Sequence, residues 1–274
     1  MNDIFSFKRF GLLLKKHFAE EYKQYLLLSA GALGIMLVFH ALTTIGSLNR
    51  EFDTNMHEVI FIIGFIFGGA IFASLTYHFF QNNAKGIRFL ELPSSHLEKL
   101  AVMFVVTQLV FFAGFLLLFY INDWLMCTFY NTVSSTPKNI PPERLPYFHA
   151  NLYRLDTAWA KLSMVLFFVI SSIAHFGSLA FRKIAFIKIA LCVIIIGAAV
   201  LWLNFTYMRS LIPESSMPGG TFFTDSVRLQ TENASRGFVL LPDNWINTIK
   251  VVLPGVLYLS FWTGSYFKLK EKQV

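Results

Sequence analysis

The chain carries little charge for its length, since only 14% of its 274 residues are Asp, Glu, Lys or Arg. Soluble globular domains have about a quarter charged residues, so this composition excludes an ordinary soluble domain. Hydrophobic residues make up 55% of the chain, phenylalanine alone accounts for 31 residues, and the mean hydropathy is +0.55. These values predict a polytopic membrane protein.

The sequence also lacks the motifs of common catalytic and nucleotide-binding sites. It contains no G-x-x-x-x-G-K-[ST] phosphate loop, no H-E-x-x-H metal motif and no G-x-S-x-G nucleophile elbow. Its two cysteines, Cys127 and Cys192, have no ligand partner at metal-binding spacing, and we expect no disulfide between them. We therefore expect no enzymatic activity, no catalytic residues, no metal and no cofactor. Energy for any active transport must come from another chain or from an ion gradient.

The net charge of +7 does not indicate a nucleic-acid partner, because no basic cluster is interleaved with aromatic residues. In membrane proteins, basic residues report orientation first. The short loops that would be cytoplasmic carry the excess of Lys and Arg when both termini are inside. We therefore expect cytoplasmic N- and C-termini.

Polar side chains are rare within the apolar segments. We expect no Asp or Glu inside a membrane helix, which disfavours a gradient-driven carrier, since such carriers usually have intramembrane carboxylates or repeats with broken helices. The neutral exceptions are interpreted mainly as interhelical packing or hydrogen-bonding groups, and they are His40, His78, Gln108, His175 and Asn204. Ser171 and Ser172 near His175 form a weak serine–histidine pairing, which keeps an intramembrane enzyme as a remote third alternative.

Six apolar segments predict an all-α integral membrane protein with six transmembrane helices. They cover about 26–45, 59–80, 96–120 and 158–181, a fifth segment ending near 207, and 245–267. Residues 1–25 repeat apolar side chains every three or four positions, which predicts an amphipathic helix on the cytoplasmic membrane surface. A plain extension of the first membrane helix is the alternative. The predicted organisation is an interfacial helix over 1–25, a transmembrane domain over 26–267 and a basic cytoplasmic tail over 268–274.

The second apolar segment, Val59 to Phe80, contains no charged residue and is rich in small side chains. At about 1.5 Å rise per residue, roughly 20 residues span the 30 Å hydrocarbon core. Small residues let membrane helices approach each other closely. The helix-packing residues predicted from this pattern are Gly64, Gly68, Gly69 and Ala73.

A compact basic turn over 81–98 follows this helix. Asparagines can cap a short helix from Ala84 to Glu91, which must end before Pro93. Ser95 followed three residues later by Glu98 then predicts a capping box that opens the next membrane helix. Spacing alone fits two interpretations equally, an ordered connector or a surface on which a soluble partner docks.

The segment Leu92-Pro93-Ser94-Ser95-His96-Leu97-Glu98-Lys99, after a Gly-rich membrane helix and a polar turn, resembles the LP-x-S…E-K segment of ABC-2-type transporter permeases. In that family, the first cytoplasmic loop is a coupling helix that seats on the ATPase subunit. The resemblance implies a multi-pass permease of a bacterial cytoplasmic membrane, paired with a separate ABC ATPase and with a second copy or a related permease. It implies ATPase contacts by Lys85, Arg88, Phe89, Leu90 and Glu91.

The outer segments over 124–157 and 208–244 are long for connectors in a compact fold, and the first contains four prolines within ten residues. They support an alternative function from a different class. In that alternative, the protein is a non-transporting membrane scaffold or sensor that acts through these outer segments and needs no ATPase.

Overall fold

The computed structural model describes residues 5–48, 50–52, 54–81, 83–134, 141–181, 185–211, 226–230, 236–240 and 243–272. These residues are helical apart from one antiparallel hairpin and short irregular segments. The helices are α1 (Phe7–Ser47), α2 (Thr54–Leu75), α3 (Asn83–Leu90), α4 (His96–Phe104), α5 (Phe111–Val133), α6 (Ala158–Ala180), α7 (Ala185–Leu211) and α8 (Asp243–Glu271). The hairpin pairs β1 (Ser226–Gln230) with β2 (Arg236–Leu240).

Four helical segments are long and apolar enough to cross a membrane, and they cover Phe7–Ser47, Asn55–Phe80, His96–Val133 and Ala158–Ala180. Many large apolar side chains on these segments are exposed, such as Leu42 at 64% and Phe67 at 60%. This surface is the kind that lipid chains cover in a bilayer. These features confirm the prediction of membrane-spanning helices. The predicted count of six spans is not confirmed, although α7 and α8 contain 27 and 29 residues.

Helix α1 is continuous over 41 residues, without a break near residue 25. A separate interfacial helix over 1–25 is therefore not confirmed, and residues 1–4 lie outside the described part of the chain. Nothing interrupts α1 locally, because its N-terminal half contains no proline and its only glycine, Gly11, has open space around it.

The third membrane helix extends well beyond the predicted end near Tyr120. After α4, a π-helical turn over Val105–Val110 leads directly into α5, which continues to Val133. The polarity of Asn122 and Asp123 predicts that the helix ends at these residues, yet both lie buried in α5. Tertiary partners of their side chains, described below, explain why two polar residues are tolerated there.

Parts of both outer segments lie within the described residues. Residues 142–148 form a 3₁₀ helix, which accommodates the prolines that exclude a regular α-helix, and residues 135–140 lie outside the described part. In the second outer segment, α7 continues to Leu211, and β1 and β2 precede α8. Pro254 lies within α8.

Aromatic side chains from α2, α5 and α6 form the core between these helices. Phe65 stacks on Phe167 with ring centroids 4.5 Å apart, and both side chains are fully buried. A Cβ atom added at Gly69 would lie only 2.5 Å from the Phe167 ring. The predicted small-residue face of α2 is therefore in close contact with other helices, but aromatic rings approach it rather than a bare backbone. Gly64 and Gly68 face Phe115 and Phe111, and Ala73 packs against Ala174 and Ile189.

Candidate functional site

The predicted coupling turn forms at one end of the bundle, together with the described ends of the chain. Ser95 caps α4, because its hydroxyl accepts from the Glu98 amide at 3.1 Å while Glu98 Oε2 accepts from the Ser95 amide at 2.9 Å. The predicted capping box is thereby confirmed. Helix α3 contains Asn83 to Leu90, in good agreement with the predicted short helix, and Asn82 lies outside the described residues.

Glu98 also connects the start of α1 to the start of α4. The Arg9 guanidinium donates to its carboxylate through Nη2 at 2.9 Å and Nε at 3.1 Å, and the Ser6 amide donates at 2.6 Å. The Glu98 side chain is fully buried, whereas 37% of the Arg9 side chain is exposed. A buried carboxylate is stable only when it is paired and hydrogen-bonded, and Arg9 and the Ser6 amide supply these partners to Glu98.

Two of the five predicted ATPase-contact residues point into the bundle. The Phe89 ring packs 4.7 Å from the Phe79 ring, and Leu90 joins the same apolar cluster with Tyr77 and Leu269. The Leu90 carbonyl accepts a hydrogen bond from Lys99 Nζ at 2.7 Å. These contacts hold α3 against the residues that follow α2, against α4 and near Leu269 of α8.

The other three predicted contact residues, Lys85, Arg88 and Glu91, are exposed, and so is Ile87. A groove of about 270 Å³ opens beside them, between α3 and the N-terminal half of α1. Charges of both signs line this groove, including those of Lys16, Glu20, Lys85 and Arg88. The outward face of α3 therefore combines cationic, anionic and apolar groups.

A second polar site lies toward the opposite end of the bundle, where residues from α1, α2 and α5 meet. One ring nitrogen of His40, one of His57 and one carboxylate oxygen of Asp123 all lie within 4.8 Å of one another. His57 Nδ1 contacts Asp123 Oδ1, and the Asn122 amide contacts His40 Nδ1. All four side chains are at most 5% exposed. We refer to His40, His57 and Asp123 as the His-His-Asp cluster.

This cluster overturns one expectation from the sequence. Asp123 is a carboxylate within a membrane-spanning helix, so the expected absence of such groups was wrong and no longer disfavours a gradient-driven carrier. Groups that could hold a metal are also present, although no sequence motif indicates them. The three residues belong to three different helices, so no spacing along the chain relates them. One feature of the sequence could have indicated the cluster. His40, His57 and Asp123 lie near the predicted outer ends of the first three apolar segments, where polar residues are unusual.

The first outer segment covers this cluster. The Tyr153 amide donates to Asp123 Oδ2 at 2.8 Å, and Asn131 exchanges two hydrogen bonds with the backbone of Ala150. Burial is the main cause that raises the pKa of Tyr153 above its ordinary value, so its hydroxyl remains a donor at neutral pH. That hydroxyl lies 3.5 Å from Glu58 Oε1.

The remaining intramembrane polar residues have mostly structural contacts. The Gln108 side-chain amide, in the π-helical turn, and the Ser171 hydroxyl, on α6, bond reciprocally at 3.0 and 3.2 Å, which confirms an interhelical hydrogen bond. The Ser172 hydroxyl bonds to its own helix at the Val169 carbonyl. The His175 ring lies 4.3 Å from the Trp262 ring, and neither ring nitrogen has a hydrogen-bond partner among the described residues. A serine–histidine pair is therefore not formed within the described part of the chain.

His78 and Asn204 are the two remaining polar residues of the predicted membrane segments. His78 Nδ1 lies 3.0 Å from the carbonyl oxygen of Leu75, the last residue of α2, so its contact is local. The side chain of Asn204 lies outside the described residues. No family model, curated protein or solved structure matches the chain.

Proposed function

We propose that this chain is the membrane-spanning permease subunit of an ABC-2-type transporter, which moves its substrate with energy from a separate ATPase chain. The observation that carries the proposal is the construction of α3. This short helix between two membrane-spanning segments presents Lys85 and Arg88 outward, with the exposed Glu91 directly after it, while its other side is held in the bundle.

The inner contacts of α3 provide a route for mechanical force. Phe89 packs on Phe79 at the end of the second membrane segment. The Leu90 carbonyl accepts a hydrogen bond from Lys99 at the start of the third. The adjacent Glu98 is bonded to Arg9 of α1. A displacement of α3 by an ATPase would therefore move the ends of three membrane helices together, because packed interiors transmit displacement rather than absorb it.

The outer side of α3 suits a protein partner. Arginine and exposed apolar groups are enriched at the centres of protein interfaces, and Arg88 lies beside the exposed Ile87. Charges of both signs allow a complementary pattern that selects one partner orientation. We further propose a second copy or a related permease as the membrane partner, with the substrate path between the two.

The test is purification of the Strep-tagged protein from its native membrane in mild detergent, followed by mass spectrometry and an ATP hydrolysis assay. We expect a stoichiometric P-loop ATPase that is lost in Arg88→Glu and Glu91→Lys, whose side chains are exposed. Lys161→Glu reverses an exposed charge on α6, at the other end of the bundle, and should retain the ATPase. Purification without any nucleotide-binding chain, or equal recovery by all variants, would overturn the proposal.

The described part of the first outer segment favours a second candidate, a non-transporting scaffold or sensor. Its residues are fastened to α5 by the Tyr153–Asp123 and Asn131–Ala150 hydrogen bonds. A scaffold of this kind would be recovered without an ATPase.

A further inference from the structure

The His-His-Asp cluster combines the donor atoms of a transition-metal site in one buried position. Two imidazole nitrogens and one carboxylate oxygen lie within 4.8 Å of one another. Zinc ligands at about 2.1 Å in tetrahedral geometry lie roughly 3.4 Å apart, so small side-chain movements bring these atoms onto one ion. We propose that His40, His57 and Asp123 bind a divalent transition-metal ion, with Zn²⁺ as the best-fitting ion.

Unsatisfied polar atoms converge in this cluster. His40 Nε2, His57 Nδ1 and Asp123 Oδ1 are buried, and none has a hydrogen-bond partner among the described residues. His57 Nδ1 and Asp123 Oδ1 are in direct contact, which is an ion pair when His57 is protonated. Buried polar atoms are nearly always bonded, and one shared partner can serve these three. A single cation satisfies all three.

Hydrogen bonds around the cluster orient the candidate ligand atoms of His40 and Asp123, as outer-shell hydrogen bonds do at metal sites. Asp123 Oδ2 is occupied by the Tyr153 amide, which directs Oδ1 toward the histidines. The Asn122 amide lies against His40 Nδ1, which leaves Nε2 as the ligating nitrogen. Metal-bound histidines typically donate their second ring N–H to a carbonyl.

The amide of Asn122 has the right chemistry for that role. When the Asn122 carbonyl is turned toward His40, Asn122 Oδ1 accepts a hydrogen bond from His40 Nδ1–H. Asn122 Oδ1 otherwise has no hydrogen-bond partner among the described residues. The orientation of an amide group follows from its hydrogen bonds, and this orientation leaves the Nε2 lone pair available to the ion.

Donor chemistry determines the class of ion. Imidazole nitrogen with carboxylate oxygen suits Zn²⁺ and neighbouring divalent ions, whereas Ca²⁺ and Mg²⁺ prefer oxygen ligands throughout. The negative charge of Asp123 also requires compensation in the apolar interior. A bound cation supplies it and joins α1, α2 and α5 at the end of the bundle remote from α3. This inference does not depend on the proposed function.

The rival explanation for the same geometry is a protonated His57 paired with Asp123 and no metal. Metal content distinguishes the two. The Strep-tagged protein is purified with a chelator, loaded with Zn²⁺, dialysed against low-metal buffer and analysed by inductively coupled plasma mass spectrometry. We expect about one Zn²⁺ per chain and a higher melting temperature for the loaded protein, because an ion that binds only the folded state stabilises it.

The variants locate the site. Asp123→Asn and His57→Ala should lower bound Zn²⁺ at least tenfold and remove the metal-dependent rise in melting temperature. His149→Ala removes an exposed histidine from the outer segment and should bind as much Zn²⁺ as the wild type. With Co²⁺ as the probe, the wild type should show the visible absorption of a tetrahedral site. Wild-type protein that retains under about a tenth of an ion per chain and melts at an unchanged temperature would overturn the proposal and favour the ion pair, and so would undiminished binding by Asp123→Asn.

Discussion

An ion pair between Arg9 and Glu98 joins the first turn of α1 to the first turn of α4. Two nitrogens of Arg9, Nη2 and Nε, donate to Glu98 Oε1 at 2.9 and 3.1 Å. The same carboxylate completes the α4 capping box. One side chain therefore stabilises a helix start and fastens the first turn of α1 beside the turn over 81–98. Its neighbour Lys99 holds α3 from the other side.

Glu98→Gln is expected to lower the free energy of unfolding by about 2–3 kcal/mol, near the lower limit for a broken buried ion pair because Arg9 stays partly exposed. Glutamine still completes a capping box, so the loss reports mainly the ion pair. Thermal unfolding in detergent measures it. Glu20→Gln, in the exposed Lys16–Glu20 pair, should change stability by less than about 0.5 kcal/mol. Equal melting temperatures for the two variants would contradict this prediction.

Lys99→Met should loosen α3 without unfolding the bundle. It removes the hydrogen bond to the Leu90 carbonyl, which is worth about 1–2 kcal/mol with a charged donor. Amide hydrogen exchange over residues 83–90 should become roughly 5–30-fold faster. Lys85→Met removes an exposed lysine from α3 itself and should leave the exchange rates nearly unchanged. The same protection in both variants would show that Lys99 does not hold α3.

Gly69→Ala should destabilise the bundle by about 1–3 kcal/mol, because the added methyl group overlaps the buried Phe167 ring. The matched control is Gly114→Ala in α5, where a Cβ atom meets nothing within 4 Å. Alanine is the better helix former, so this control should be neutral or slightly stabilising. Melting temperatures in detergent compare the two, and a tolerated Gly69→Ala would refute close packing of α2 on α6.

Ser171→Ala should cost about 1 kcal/mol, because it leaves the buried Gln108 amide without its partner on α6. Ser260→Ala removes an exposed hydroxyl that bonds only to its own helix at the Val256 carbonyl, and it should be nearly neutral. Combining Ser171→Ala with Gln108→Leu should restore part of the lost stability, since two apolar groups leave no unsatisfied donor. A purely additive loss in the double variant would argue against the interhelical bond.

Features that depend on neighbouring residues were predictable from the sequence. The membrane helices follow from long uncharged segments, and α6, expected over 158–181, is observed over Ala158–Ala180. The capping box needs only Ser95 and Glu98, and the short helix before it needs only residues up to Pro93. Each of these features depends on interactions within one or two helical turns, which a spacing pattern records directly.

The tertiary structure alone decided the features that join distant segments. Helix α5 continues through Asn122 and Asp123 because His40, His57 and Tyr153 meet their polar groups. A polar residue ends a membrane helix only when it lacks such partners, and the sequence does not list partners from other helices. Phe89 and Leu90 face inward for a similar reason, since an amphipathic helix has an apolar side but its neighbours determine where that side packs. The ligands of the His-His-Asp cluster are separated along the chain, and only the packing of α1 and α2 on α5 brings them together.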